Sequence, residues 1–154
     1  MRDTEIQILQ KDYEDNKQAY YIYALSLVGR SALAEDIIHA VYVNVIKREF
    51  LPECLKHYLL RAIRNGAMDV YREAKKERSL FELTSDRLTA AERELYEHVD
   101  FHLNMLDEKN REVLILKIYE DMTFSQIAEI TGETINTVCS RYRRSLAKLR
   151  DIIK

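Results

Sequence analysis

The stretch from Thr123 to Arg144 reads TFSQIAEITGETINTVCSRYRR and decides the fold of the last third of the chain. Ala128, Gly132 and Val138 follow one another in it at i, i+4 and i+10. This spacing suits a helix-turn-helix, with a small residue where two helices cross, a left-handed glycine in the turn and an apolar anchor in the second helix. The sequence therefore predicts a helix-turn-helix in this stretch.

The second of these helices has two chemically different faces. Its apolar face is expected to pack inward and carries Ile135, Val138, Tyr142, Leu146 and Leu149. The opposite face carries residue types that recognise base edges in the major groove and grip phosphates, namely Asn136, Thr137, Ser140, Arg141, Arg143 and Arg144. We expect Arg141 to reach base edges or the phosphates beside them. The alternative is a helical hairpin in a purely structural bundle, which can have the same spacing.

Capping and terminating residues divide the rest of the chain into helices. Gly29 is expected to end the first helix. The residues expected to cap later helices are Ser31, Asp107, Thr123 and Thr134, with Gln126 completing a capping box for Thr123. Apolar residues at helical spacing predict buried stripes that extend as far as Ile46 in the second helix and Ile118 in the helix after Asp107.

Composition agrees with a helical protein. The chain has 154 residues, of which 47% are hydrophobic and 32% charged, and only three glycines and one proline. Turn residues are too few for a β-sandwich or barrel, and no apolar run approaches the roughly 20 residues that span a bilayer. We expect an all-α, cytoplasmic protein of two small domains. Residues 1–78 would form a helical bundle, 79–94 a linker, and 95–154 a four-helix unit with the helix-turn-helix.

Charge is strongly segregated although the net charge is only −2. Residues 135–154 hold six basic residues and one acidic residue, and residues 61–78 hold six and three. Two separate basic stretches are compatible with a polyanion bound at two places, and equally with two solvated helix faces. The earlier stretch carries Arg61, Arg64, Asn65, Arg72, Lys75 and Lys76. Together with Tyr58 and Tyr71 these residues suit unstacked bases of a single strand, although taken alone an exposed amphipathic helix is the better explanation.

Catalytic and metal-binding patterns are weak. His98 and His102 have the i, i+4 spacing of helical metal ligands, but no third ligand accompanies them. Cys54 and Cys139 are far apart and belong to no ligand set. We therefore expect no catalytic residue, no metal site and no cofactor.

Motifs in both halves resemble a known family. Three runs resemble sigma region 2, namely Tyr21–Gly29, Ala34–His39 and Tyr58–Arg72. Three more resemble sigma region 4, namely Leu106–Leu114, Phe124–Gly132 and Thr137–Arg141. Their order, the intervening linker and the short length are similar to those of the extracytoplasmic-function sigma factors, the two-domain group of bacterial initiation factors.

The resemblance implies a sigma factor that binds core RNA polymerase and directs promoter recognition and opening, with an anti-sigma factor as a further partner and no membrane insertion. It places the polymerase-binding surface on Asp36, His39, Tyr42, Val43 and Ile46. The basic helix beginning at Arg61 would meet the proximal promoter element where the strands separate. The last helix would lie in the major groove of the double-stranded distal element.

The chain departs from the family pattern at three places. His39 and Ala40 stand where the family often has glutamine followed by an acidic residue, the connection from Lys47 to Pro52 is short, and Cys139 replaces a common lysine. Two other functions fit the residues. One is a conventional helix-turn-helix regulator with an N-terminal helical dimerisation or sensing domain, and the other is a helical adaptor that makes no DNA contact. A sensing bundle has no use for a second basic helix, which favours the sigma factor.

Overall fold

A computed structural model of the chain describes residues 2–77, 103 and 105–153. The described residues form six α-helices and no β-strand, which confirms the predicted all-α class. The helices are α1 (Asp3–Val28), α2 (Ser31–Ile46), α3 (Leu55–Glu77), α4 (Glu108–Ile118), α5 (Phe124–Thr131) and α6 (Ile135–Ile153). The chain divides into two compact units, Met1–Arg87 and Leu88–Lys154. The linker predicted at 79–94 lies outside the described residues.

In the first unit α1, α2 and α3 pack against one another around an apolar core. Its fully buried side chains include Tyr20, Tyr23, Leu25, Val45, Leu59, Leu60 and Ile63. Gly29 ends α1 with φ +72°, and its N–H donates to the carbonyl of Leu25. The prediction that Gly29 stops the first helix is therefore confirmed. The predicted cap at Ser31 is wrong, since Arg30 holds the N-cap position and the Ser31 hydroxyl contacts that of Tyr21.

A polar network joins the middle of α1 to α2. Asp12 accepts hydrogen bonds from the Tyr20 hydroxyl at 3.1 Å and the Tyr42 hydroxyl at 2.9 Å. Asn16, one turn after Asp12, donates to the same carboxylate at 3.1 Å. The pKa of Tyr42 is raised, mainly because its hydroxyl is buried and to a lesser extent because the Asp12 carboxylate lies beside it. Both tyrosines are buried, so this network fixes the packing of α2 on α1 from inside.

The three described helices of the second unit begin at the N-caps predicted from the sequence. Asp107 accepts from the N–H of Asn110 at 2.9 Å, and Thr134 accepts from the N–H of Thr137 at 3.2 Å. Thr123 and Gln126 form the capping box, each side chain accepting from the other's backbone. All three predicted caps are confirmed. The apolar core beneath them contains Val113, Leu114, Ile115, Leu116, Ile127 and Val138.

Three isoleucines predicted on buried stripes are exposed instead. Ile46 is 50% exposed, Ile118 55% and Ile135 50%. Each is the first or last residue of its helix. A helix end can extend past the neighbour that covers the rest of its apolar stripe, so periodicity predicted these side chains wrongly.

Candidate nucleic-acid interface

Helices α5 and α6 form the predicted helix-turn-helix. Gly132 sits in the turn with φ +75°, and its N–H donates to the carbonyl of Ala128. Val138 is completely buried and holds α6 against the unit, and Ala128 is only 9% exposed. The residues at i, i+4 and i+10 therefore occupy the three positions that the spacing predicted.

The outer face of α6 contains a cleft of about 210 Å³. It is lined by Asn136, Thr137, Ser140, Arg141 and Arg144. Five of the six side chains predicted on this face therefore lie together, whereas Arg143 is exposed and does not line the cleft. Amide, hydroxyl and guanidinium donors grouped on one helix face are the side chains that contact base edges and phosphates in the major groove.

Among the described residues, Arg141 differs from the other basic residues of α6 because it has an acidic partner. One of its terminal nitrogens lies 3.4 Å from Oε1 of Glu133, the residue before the Thr134 cap. The two side chains are only 20% and 34% exposed, so the pair is partly withdrawn from water. The Nε of Arg141 is buried and has no hydrogen-bond partner among the described residues. Sequence reasoning missed Glu133, since the contact spans eight residues across a turn.

The hydroxyl of Ser145 helps to fix the backbone of α6 behind the cleft. Ser145 is fully buried, and its Oγ lies 2.7 Å from the Arg141 carbonyl and 3.2 Å from the Asn110 carbonyl. The second distance joins α6 to the first turn of α4. Polar and apolar contacts together therefore fix the rotation of α6 about its axis, and with it the direction in which the cleft residues face.

The basic residues of α3 lie along one side of that helix. Arg61, Asn65 and Arg72 are exposed, whereas Arg64 is half-buried and has contacts of its own. At about 100° per residue, the six predicted positions fall within an arc of about 120°. Arg72 pairs with Asp69 at 3.5 Å on the open surface. The side chains of Lys75 and Lys76 lie outside the described set, although both residues belong to α3.

The aromatic residues predicted to accompany this helix already have partners. The guanidinium of Arg48 lies 5.0 Å from the ring centre of Tyr58, and the Tyr71 hydroxyl donates to the carbonyl of Leu27. Arg48 also reaches the carbonyl of Phe50, so it ties the short connection after α2 to the start of α3.

The exposed side of α2 carries four of the five residues predicted to bind a protein partner. Asp36, His39, Val43 and Ile46 are exposed and follow one another at helical spacing. Val43 and Ile46 are 47% and 50% exposed, so the stripe ends in uncovered apolar surface. Tyr42 does not belong to this surface, because its side chain is buried against α1 and its hydroxyl bonds to Asp12. Its predicted role in polymerase binding is therefore corrected.

Other expectations concern metals and membranes. His98 and His102 lie outside the described residues. Within the part of the chain that the structure describes, no group of three or more His, Cys, Asp or Glu side chains is placed to hold a metal ion. None of the described helices is long and apolar enough to span a membrane.

Comparison with known proteins gives two relationships in sequence. Residues 102–149 match the family described as Sigma-70, region 4. The chain is 31% identical over 141 residues to RNA polymerase sigma factor SigV of Bacillus subtilis (strain 168), and the match covers 88% of this chain and 85% of that protein.

Two solved structures share the fold. The sigma factor RpoE of Bartonella quintana, crystallised with the anti-sigma factor NepR, aligns with a TM-score of 0.67 at 18% identity, over 94% of this chain and 95% of that one. CnrH, in complex with the cytosolic domain of CnrY, aligns with a TM-score of 0.67 at 23% identity, over 96% and 88%.

Proposed function

The chain belongs to the extracytoplasmic-function sigma factors of RNA polymerase, and from this premise we propose which of its surfaces performs each part of initiation. Such a factor binds core RNA polymerase and promoter DNA and directs transcription initiation. We assign polymerase binding to the exposed stripe of α2, the proximal promoter element to the basic side of α3, and the distal element to the cleft of α6. The observation that carries this proposal is that cleft, with five polar and basic side chains on the outer face of a helix-turn-helix.

In this proposal the chain binds promoter DNA through two weak sites while it is attached to one polymerase. Residues 1–78 and 95–154 would each bind DNA modestly, and attachment to the same polymerase raises the effective concentration of each site for its element. Extruding a base at the proximal element costs a few kcal/mol, which contacts from the first domain must offset. The chain itself would catalyse no reaction and would work in the cytoplasm, where polymerase and chromosome lie.

Run-off transcription tests this function. Purified core polymerase is supplied with a promoter library, with and without the full chain. Transcripts from a defined subset of promoters should appear only when the chain is present. A chain that binds duplex DNA specifically but leaves transcription by core polymerase unchanged would instead be a conventional regulator, and this result would contradict the proposal.

An anti-sigma factor is proposed as a further partner. In the two solved structures, the sigma factor RpoE is bound to the anti-sigma factor NepR, and CnrH is bound to the cytosolic domain of CnrY. The exposed apolar end of the α2 stripe, at Val43 and Ile46, supports this proposal. Surface that a protein partner covers is expected to be apolar at its centre.

Reversing the charge of Asp36 should weaken polymerase binding. Asp36 is exposed on the α2 stripe, and α2 keeps its buried face, so Asp36→Arg is expected to leave the bundle folded. The lost attraction and new repulsion should cost on the order of 1 kcal/mol in binding. Co-purification of the full chain with core polymerase measures the effect. Glu14→Arg, an equal reversal at an exposed position of α1, is the matched control. Equal retention of both variants would place the docking surface elsewhere.

Removing positive charge from α3 should impair strand opening. Arg61→Ala with Arg64→Ala removes two cations from the basic side of α3, which is proposed to act only where bases unstack. Binding to fully duplex distal-element DNA should change little. Permanganate footprinting of the start region with polymerase should show weaker reactivity. Lys11→Ala with Lys17→Ala removes the same charge from α1 and controls for net charge. Parental reactivity in the α3 variant would refute the assignment of this helix.

A further inference from the structure

Glu133 and Arg141 form an ion pair at the edge of the α6 cleft. The two charged atoms are 3.4 Å apart, and the side chains are 34% and 20% exposed. An ion pair that is partly withdrawn from water is screened less by salt than one on open surface. Arg141 also lines the cleft, so the same side chain contacts the carboxylate and borders the surface that we propose binds DNA.

The carboxylate changes which DNA group Arg141 attracts. A lone guanidinium binds phosphate through its net charge, and each such contact releases counterions with a salt slope of about 0.9. Beside Glu133 the net charge of the pair is close to zero, and the carboxylate repels phosphate oxygens. The O6 and N7 atoms of guanine are neutral acceptors, so they are repelled less, and their spacing suits a bidentate guanidinium.

A second arginine of the same cleft, Arg144, can be compared with Arg141. Arg144 also lines the cleft, but among the described residues no carboxylate pairs with it. Arg144 therefore keeps its full charge for a phosphate, whereas that of Arg141 is offset. Both residues are arginines of α6 that line the cleft, and they differ in burial, since Arg144 is exposed and Arg141 is not, and in the carboxylate of Glu133 beside Arg141.

We infer that Glu133 is a specificity-determining residue that positions Arg141, withholding its guanidinium from phosphates and presenting it to a base edge with two neutral acceptors, such as guanine. This inference deepens the proposed function and rests on it. Glu133 itself contacts no base in this arrangement and acts through Arg141. Glu133 thereby increases sequence specificity, since it lowers the affinity for DNA in general more than the affinity for the correct site.

The test uses the full chain with core polymerase and Glu133→Gln, which keeps the shape of the side chain and removes its charge. Two quantities are measured, the base preference in a duplex library randomised over the distal element and the salt dependence of binding to non-specific duplex. Glu133→Gln should steepen the salt slope by about one unit, tighten non-specific binding about eightfold at about 0.1 M salt, and reduce the preference at one base position about fivefold. Asp151→Asn removes an equal charge from the far end of α6 and should change neither.

Two further variants separate charge from structure. Glu133→Asp keeps the negative charge near Arg141 and should retain the parental salt slope. In an Arg141→Ala background, Glu133→Gln should no longer alter base preference, because coupled residues do not act additively.

The outcomes distinguish the two proposals. If Glu133→Gln matches Asp151→Asn in both salt slope and base preference while the parent retains its preference, the inference is overturned and the proposed function stands. If the parent complex shows no base preference at the distal element, the assignment of the cleft to DNA recognition fails first.

Discussion

Replacing Arg141 by alanine is expected to erase the preference at one base position of the distal element. A bidentate contact between arginine and a base is worth about 1–3 kcal/mol of discrimination, which corresponds to roughly 5- to 150-fold between the correct base and the others. Arg141 lines the same cleft as Asn136, Thr137 and Ser140, the side chains that would approach the groove floor.

Base preference, rather than affinity, is the quantity that decides this prediction. Arg141→Ala also leaves the Glu133 carboxylate without its ion pair, which weakens binding to every sequence. Arg143→Ala is the matched control, since Arg143 is exposed on the same helix but does not line the cleft. It should weaken binding to all sequences alike and flatten the salt slope by about one unit. Selection from a randomised duplex library distinguishes the two, and an unchanged base profile for Arg141→Ala would show that Arg141 recognises no base.

Local signals in the sequence predicted the helix boundaries well. A capping side chain or a left-handed glycine acts on backbone groups within a few residues, so Thr123, Gly132 and Gly29 could be interpreted from their neighbours alone. The same holds for the outer face of α6, because residues at helical spacing must share a face.

Errors arose where a distant partner decides the outcome. The family resemblance placed Tyr42 on the polymerase-binding surface, but its hydroxyl donates to Asp12, thirty residues earlier, in the α1 interface. Ile46, Ile118 and Ile135 fit buried stripes, but exposure at a helix end depends on how far the neighbouring helix extends. The pairing of Glu133 with Arg141 depends on the path of the turn, which hydrophobic periodicity does not encode.

Removing the Asp12 carboxylate should produce the largest loss of stability among the polar substitutions in the first unit. Asp12→Ala takes an acceptor from the hydroxyls of Tyr20 and Tyr42, which are 0% and 9% exposed. Depriving a buried donor of a charged acceptor costs about 1–3 kcal/mol, so the two together should lower the free energy of unfolding by about 2–6 kcal/mol. Asp15→Ala removes a carboxylate from an exposed pair with Lys11 on the same helix and should cost less than about 0.5 kcal/mol.

Hydrogen exchange at the amides of α1 and α2 measures this loss in the intact chain, since it reports on the first unit separately from the second. The network predicts a specific rescue. Tyr42→Phe removes a donor rather than an acceptor, so combining it with Asp12→Ala leaves one fewer unsatisfied hydroxyl, and the double variant should lose less stability than the sum of the two single variants. Strict additivity would show that Asp12 and Tyr42 are not coupled. Because the stripe that we propose binds polymerase lies on the opposite side of α2, Asp12→Ala should also weaken co-purification with core polymerase, although Asp12 lies off that stripe.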